Sequence, residues 1–240
     1  MTYDLVKTDA GLAVRRSAAA DLPLRYFLCI GRNYADHAKE MGGKASAENP
    51  VLFTKSPACA ILSGDDIVIP AICQDREQVD FEGELAVIVG ERARDVAPDR
   101  ALDHVLGYCA ANDVTARWWQ KEGSGGQFNR GKSFDTFCPL GPRITAARAI
   151  PDPQSLAITT TVNGEVMQHA STRDMILSVA SLIAECSRGA TLLPGTVILT
   201  GTPSGVGTAR TPPRYLKEGD TVTVEISGLG AITNKVRLER

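Results

Sequence analysis

The sequence predicts an α+β fold that is mainly β, with mixed sheets forming a sandwich or partly closed barrel and few short helices. Short apolar runs with alternating character recur along the chain, 22 glycines and 13 prolines punctuate its 240 residues, and only one stretch carries a long helical period. In chain order, "YFLCIG" and "VLFTKS" read as strands flanking a short helix that follows Asn33 in "RNYADHAKEMGG" and stops at Gly42–Gly43. "DIVIP" and "ELAVIVG" are strands, and "DRALDHVLGY" reads as a second helix. In "SLAITTTVNGEVMQH", Asn163–Gly164 sits between alternating runs and signals a hairpin. The longest helix is expected within "STRDMILSVASLIAECSRG". It has Met175, Ile176, Val179, Leu182, Ile183 and Cys186 on one face and Gly189 as its stop. "TVILTG" and "TVTVEISGLGAITNKVRL" complete the strands. Without a repeat or a linker, residues 1–240 read as one domain, in which 1–25 form a short N-terminal segment.

Composition narrows the function. With 43% hydrophobic residues, 22% charged residues and a net charge of −2, the chain carries no electrostatic signature of a nucleic-acid or acidic-membrane partner. No apolar run approaches membrane-spanning length, and six scattered cysteines lack any C-x-x-C spacing. The expectation is a cytoplasmic protein with reduced thiols.

"VDFEGELAVIVG" brings Asp80, Glu82 and Glu84 into an otherwise buried strand. Alternation puts these acids on one face and Phe81, Leu85, Val87 and Val89 on the other. Residues two apart on a strand are separated by roughly 6.6 Å, so their carboxylates can lean together onto one cation. Oxygen-only sites of this kind suit Mg²⁺ or Mn²⁺. Asp113, in "CAANDVTAR", is either a third ligand or the cap of a helix beginning at Val114.

Of the three histidines, His37 is singled out because Glu40 follows three residues on, where a carboxylate fixes the imidazole tautomer and raises its basicity. An ordinary surface pair is the alternative. "GQFNRGKS" matches a phosphate-binding loop, but no buried strand precedes it and the prolines of "FDTFCPLGP" oppose a long helix after it. Nucleotide binding is therefore set aside, leaving Lys132 as a residue that could stabilise an enolate or oxyanion. "ILTGTPSGVG" offers backbone N–H groups and the hydroxyls of Thr200 and Thr202 as an anion nest, or simply a tight glycine turn. Arg32, Lys55 and Arg117 add charge suited to an acidic substrate.

The joint order of "IGRNYADHAKEM", "VLFTKSP", "DFEGELAVIVG", "CAANDVTAR", "GKSFDTFCPLGP", "VNGEVMQ" and "ILTGTPSGVG" resembles the fumarylacetoacetate hydrolase family from about Leu28 onward. The resemblance implies that family's mixed β-sandwich roll and a Mg²⁺ or Mn²⁺ site with Glu82, Glu84 and Asp113 as ligands. It also implies a catalytic His37–Glu40 dyad on a lid and a catalytic Lys132. Arg117 and the turn Thr200, Gly201, Thr202 would meet the oxo-acid end of the substrate, with Arg32 and Lys55 as further contacts. "FTKSP" departs from the commoner F-x-K-P at Lys55, and Asp80 has no ligand role by this mapping. The implied activity is hydrolysis of a C–C bond in an acylpyruvate or 1,3-diketo acid. Oxaloacetate decarboxylation or tautomerisation, or isomerisation or hydration of a 2-oxo-enoate, are the alternatives on the same site. A homodimer and a small oxo-acid substrate are implied as partners.

Overall fold

A computed structural model of the chain describes residues 1–17, 19–43 and 46–240. Its main sheet runs, edge to edge, through Leu22–Pro23, Gly11–Val14, Thr2–Thr8, Cys138–Ala146, Val105–Asn112, Gly83–Val89, Thr196–Leu199, Tyr26–Gly31 and Val51–Lys55. The sheet is strongly curled into a half-barrel and the protein is mainly β, as the strand-rich sequence requires. A second sheet is built from Glu165–Ser171, Ala157–Val162, Thr221–Ile226, Gly230–Leu238 and Ile67–Ile69. Pairing is mixed: Thr196–Leu199 runs parallel to Tyr26–Gly31 and antiparallel to Gly83–Val89. The N-terminal residues are part of the main sheet, because Thr2–Thr8 pairs with Cys138–Ala146.

Gly83–Val89 is buried along its whole length because both of its faces are covered. Ala86 and Ile88 join one core with Phe27, Cys109 and Leu199, while Leu85, Val87 and Val89 join another with Leu182, Ile183 and Ile226. The strand begins only at Gly83, so Phe81 falls on the Ala86 side instead of the Leu85 side that strict alternation predicts. The chain breaks there because Val79–Asp80 leaves the main sheet to pair with Thr115–Ala116. Gly83 itself has no room for a β-carbon, which would collide with the Thr160 hydroxyl.

The hairpin at Asn163–Gly164 forms as expected, with Asn163 at φ 53° and Gly164 at φ 82°. Two helix expectations need correction. "DRALDHVLGY" divides into a 3₁₀ segment, Pro98–His104, and the strand Val105–Asn112. The longest helix spans only Val179–Ser187, with Ser178 capping the N–H of Ser181. Upstream, Thr172–Asp174 makes one 3₁₀ turn, and the N–H groups of Ile176 and Leu177 are bound by Asn33, which keeps them out of the helix. Asn33 Oδ1 accepts the Leu177 N–H at 2.8 Å, and its amide donates to the Leu177 and Thr200 carbonyls. That long-range clamp overrides the local helical period. Val179, Leu182 and Ile183 are buried, each contributing about 1.5–3 kcal/mol by removal from water. Among the described residues the six cysteines are buried and free, and no helix is long and apolar enough to cross a membrane.

Candidate active site

The acids of the interrupted strand converge. Glu82 lies in the break, where its N–H donates to Asn112 Oδ1 at 3.0 Å and its carbonyl accepts the Asp113 N–H at 2.8 Å. This pairing places Asp113 beside Glu82 and Glu84, with one carboxylate oxygen from each lying within 4.8 Å of the others. Asp113 caps no helix at Val114, because Thr115–Ala116 is a strand. The three residues are at most 4% exposed.

Such a trio is electrostatically costly unless cations compensate it. Lys132 Nζ lies 2.5 Å from Glu82 Oε2 and 2.7 Å from Asp113 Oδ2. Lys55 Nζ reaches Asp113 Oδ1 at 2.6 Å, and Arg117 spans Glu82 Oε1 at 2.6 Å and Asp80 Oδ2 at 2.7 Å. Burial would raise Glu82, but Lys132 and Arg117 bring its pKa down to about 2. Glu84 is different. Among the described residues it has no cationic partner within 4.0 Å, and burial, Asp113 and Glu82 push its pKa well upward. In this network four buried carboxylates, Asp80 included, face three buried cations. A divalent cation fits the donor set: three hard oxygens, one of them otherwise uncompensated.

The catalytic candidates lie across the same cleft. The helix Ala35–Glu40 carries both dyad residues; His37 Nδ1 is 2.8 Å from Glu40 Oε1. Glu40 also accepts the Gly205 N–H at 2.9 Å, which ties this helix to the glycine turn after Thr196–Leu199. With Nδ1 engaged, Nε2 is the nitrogen left to exchange a proton. His37, Arg32, Glu82, Glu84, Arg117 and Lys132 share a cleft of about 70 Å³.

Lys132 stands at the end of a short helix, Phe128–Lys132, inside the "GQFNRGKS" motif. The motif therefore has neither the strand before it nor the helix after it that a phosphate cradle needs. Gly131 lets this helix lie against Ala116 and Gln120, where a β-carbon would strike backbone atoms. That approach carries Lys132 inward to 1% exposure.

The remaining sequence candidates fall differently. Lys55 lies behind Asp113, fully buried and outside the cleft lining. The Thr200 hydroxyl donates to the Leu85 carbonyl, the Thr202 hydroxyl to Gly83, and the Gly201 N–H to Glu84 Oε2 at 2.8 Å. The Gly201 N–H is thus engaged by the Glu84 carboxyl, and only Thr202 of the three lines the cleft. Asp80 holds Arg117 and accepts the Gly207 and Thr208 N–H groups, without joining the carboxylate trio.

Sequence reasoning passed over two residues. Gln120 lines the cleft and accepts from Arg117 through Oε1 at 3.2 Å; its i,i+3 spacing from Arg117 was the available signal. Gln168 joins Gly83 N to the Thr202 hydroxyl and the Pro203 carbonyl, bracing the strand break against the turn. It occurs in "VNGEVMQ", where nothing local distinguishes it from an outward strand residue.

Known proteins agree with this architecture. The model for the fumarylacetoacetate hydrolase C-terminal domain matches residues 26–237. An oxaloacetate tautomerase of Bacillus subtilis is 43% identical over 93% of this chain and 73% of its own length. A fumarylacetoacetate hydrolase of Exiguobacterium antarcticum superposes over 100% of both chains with a TM-score of 0.84 and 37% identity. A fumarylpyruvate hydrolase of Pseudomonas aeruginosa, solved with Mn²⁺ and pyruvate, covers 98% of this chain and 99% of its own, with a TM-score of 0.83 and 31% identity. By sequence, fold and the acidic cluster within the cleft, the chain belongs to the fumarylacetoacetate hydrolase family.

Proposed function

We propose that this protein is a divalent-metal-dependent enzyme that interconverts the keto and enol forms of oxaloacetate. The observation that carries the reading is the convergence of Glu82, Glu84 and Asp113 beside a cleft that Glu82, Glu84 and the Glu40-bound His37 line together. Similarity to oxaloacetate tautomerases supports it over the hydrolase activity implied by the sequence motifs. Glu82, Glu84 and Asp113 would hold Mg²⁺ or Mn²⁺. The bound ion supplies Lewis acidity and a fixed anchor for a chelating 2-oxo carboxylate. His37 Nε2 takes a proton from C3 of the substrate, with Glu40 stabilising the resulting imidazolium. The C3–H electron pair becomes the C2–C3 π bond, the carbonyl π pair moves onto the oxygen, and the His37 imidazolium returns its proton to that oxygen. Arg117 and Gln120 orient the acid end. Lys132 keeps Glu82 ionised and adds positive potential where the enolate develops.

Hydrolysis of an acylpyruvate is the second reading, because the same imidazole could deprotonate a water instead of carbon. A homodimer also belongs to the proposal. Tyr26 and Leu52, each more than 40% exposed, share a surface hollow beside the edge strand Val51–Lys55, and sedimentation tests whether a second copy covers them.

The deciding experiment follows the enol absorbance of oxaloacetate and of acylpyruvates with Mn²⁺, with Mg²⁺ and with EDTA. Metal-dependent interconversion of oxaloacetate, lost in His37→Gln, is expected. Pyruvate release from an acylpyruvate without oxaloacetate turnover would replace the first reading with the second.

A further inference from the structure

We propose that Arg32 and Lys121 form a receptor for the second carboxylate of the substrate, making the enzyme selective for 2-oxo dicarboxylates over 2-oxo acids with a neutral tail. This inference rests on the oxo-acid reading above and names the part of the cleft that reads the far end of the molecule.

The cleft is electrostatically divided. At its inner end Lys132 and Arg117 touch buried carboxylates at 2.5–2.8 Å, so their charge is already matched. Arg32 and Lys121 line the same cleft, yet among the described residues neither has a carboxylate within 4.0 Å. They come from different elements: Arg32 follows the strand Tyr26–Gly31, and Lys121 follows the helix Arg117–Gln120. Ile30, Phe53 and Phe128 supply apolar lining. Both residues are exposed yet line the cleft, so two unmatched cations share one concave surface, where they attract an anion more strongly than either would alone.

Arg32 is also held in place. Its backbone sits at φ 60°, a left-handed conformation costly for a side chain of this kind. The next residue, Asn33, locks that geometry through the Thr200 and Leu177 carbonyls. Gly43, just past the dyad helix, presses against the guanidinium. A β-carbon at Gly43 would lie 3.0 Å from Arg32 Cζ and 3.2 Å from Nε. The glycine thus leaves room for Arg32 and joins its position to the segment that carries His37. An arginine with no role at the cleft would need neither the strained backbone nor the close approach.

The test compares oxaloacetate with 2-oxosuccinamate, in which an uncharged amide of similar size replaces the distal carboxylate. Binding is read by calorimetry on the Mn²⁺-loaded protein with tautomer-equilibrated ligand, and kcat/KM is measured in parallel. The unaltered protein should prefer the diacid by about tenfold or more, as expected for a charge-assisted contact. Arg32→Gln and Lys121→Gln should each remove most of that preference while leaving amide binding within about twofold. Arg32→Lys should keep part of it. Gly43→Ala, which touches neither ligand nor metal, should lower the preference several-fold by displacing the guanidinium. Thermal melting of each variant separates these effects from misfolding. Equal binding of the two ligands by the unaltered protein, or equal losses for both in the variants, would overturn the proposal. Intact diacid preference without turnover would leave it standing and remove the tautomerase reading instead.

Discussion

Gly201 donates its backbone N–H to Glu84 Oε2 at 2.8 Å, adding to the longer-range attraction that Lys132 exerts on the Glu84 carboxylate. A backbone dipole cannot fully offset burial beside Asp113 and Glu82. Metal should therefore stabilise the fold. Saturating Mn²⁺ is expected to raise Tm by about 5–10 °C, the size expected of a ligand at a hundred times its Kd or more. Glu84→Gln keeps an oxygen for Gly201 but removes the charge. Its metal-free form should be about 1 kcal/mol more stable than the parent protein, with the metal-induced rise abolished. A Glu84→Gln protein that still melts higher with Mn²⁺ would place the ion elsewhere.

The dyad can be divided into its parts. His37→Gln should lower kcat by roughly 10²–10⁴, the usual worth of a positioned proton carrier. Glu40→Gln still accepts the Gly205 N–H, so the helix Ala35–Glu40 should remain docked while His37 loses its carboxylate. The expected result is a smaller fall in kcat, about 10- to 10²-fold, with metal affinity unchanged by titration. Equal losses in both variants would mean that Glu40 acts on the chemistry directly.

Lys55 separates a structural role from a substrate contact. Its ammonium is buried against Asp113 at 2.6 Å, with the Val114 carbonyl at 3.3 Å. Burial opposes its charge, but Asp113 holds the amine protonated. Lys55→Met should cost about 3 kcal/mol in urea unfolding by removing one of the two ammonium groups that compensate the buried Asp113 carboxylate. A rise in KM without loss of stability would restore Lys55 to the substrate.

Far from the cleft, Asp220 accepts from Arg214 at 2.8 and 2.9 Å, from the Lys217 N–H and from Asn163. Burial acts to raise its pKa, yet these donors hold it below the ordinary value. A depressed carboxylate contributes stability above its unfolded pKa of about 4 and loses it as pH falls through the folded value. Asp220→Asn should thus cost about 1 kcal/mol at pH 7. The gap between the two proteins should close on acidification below about pH 4. A constant gap across that range would show that charge has no part in it.

Much of the molecule is legible in local sequence. Strand periodicity places the central runs, Asn163–Gly164 marks its hairpin, and the acids of "VDFEGELAVIVG" announce an ionic centre inside a core. The spacing of His37 and Glu40 anticipates their contact, because three residues of helix bring two side chains to one face whatever surrounds them. These features need only backbone geometry and hydrophobic alternation.

The sequence by itself determined the mainly β architecture, the hairpin, the dyad and the set of charged residues; tertiary structure decided which charges meet. Lys55 finds Asp113 across 58 residues, Lys132 finds Glu82 across 50 and Arg117 finds Asp80 across 37. Periodicity specifies the face of an element but not what lies opposite, so Lys55 read as a substrate contact when its charge is directed to Asp113. The same cause shortened the longest helix, where Asn33 reaches Leu177 from 144 residues away. It also turned the Thr200–Thr202 groups inward to the backbone of Gly83–Val89 and to Glu84. A buried donor or acceptor must be satisfied wherever the fold places it, and that partner is settled only once distant segments pack.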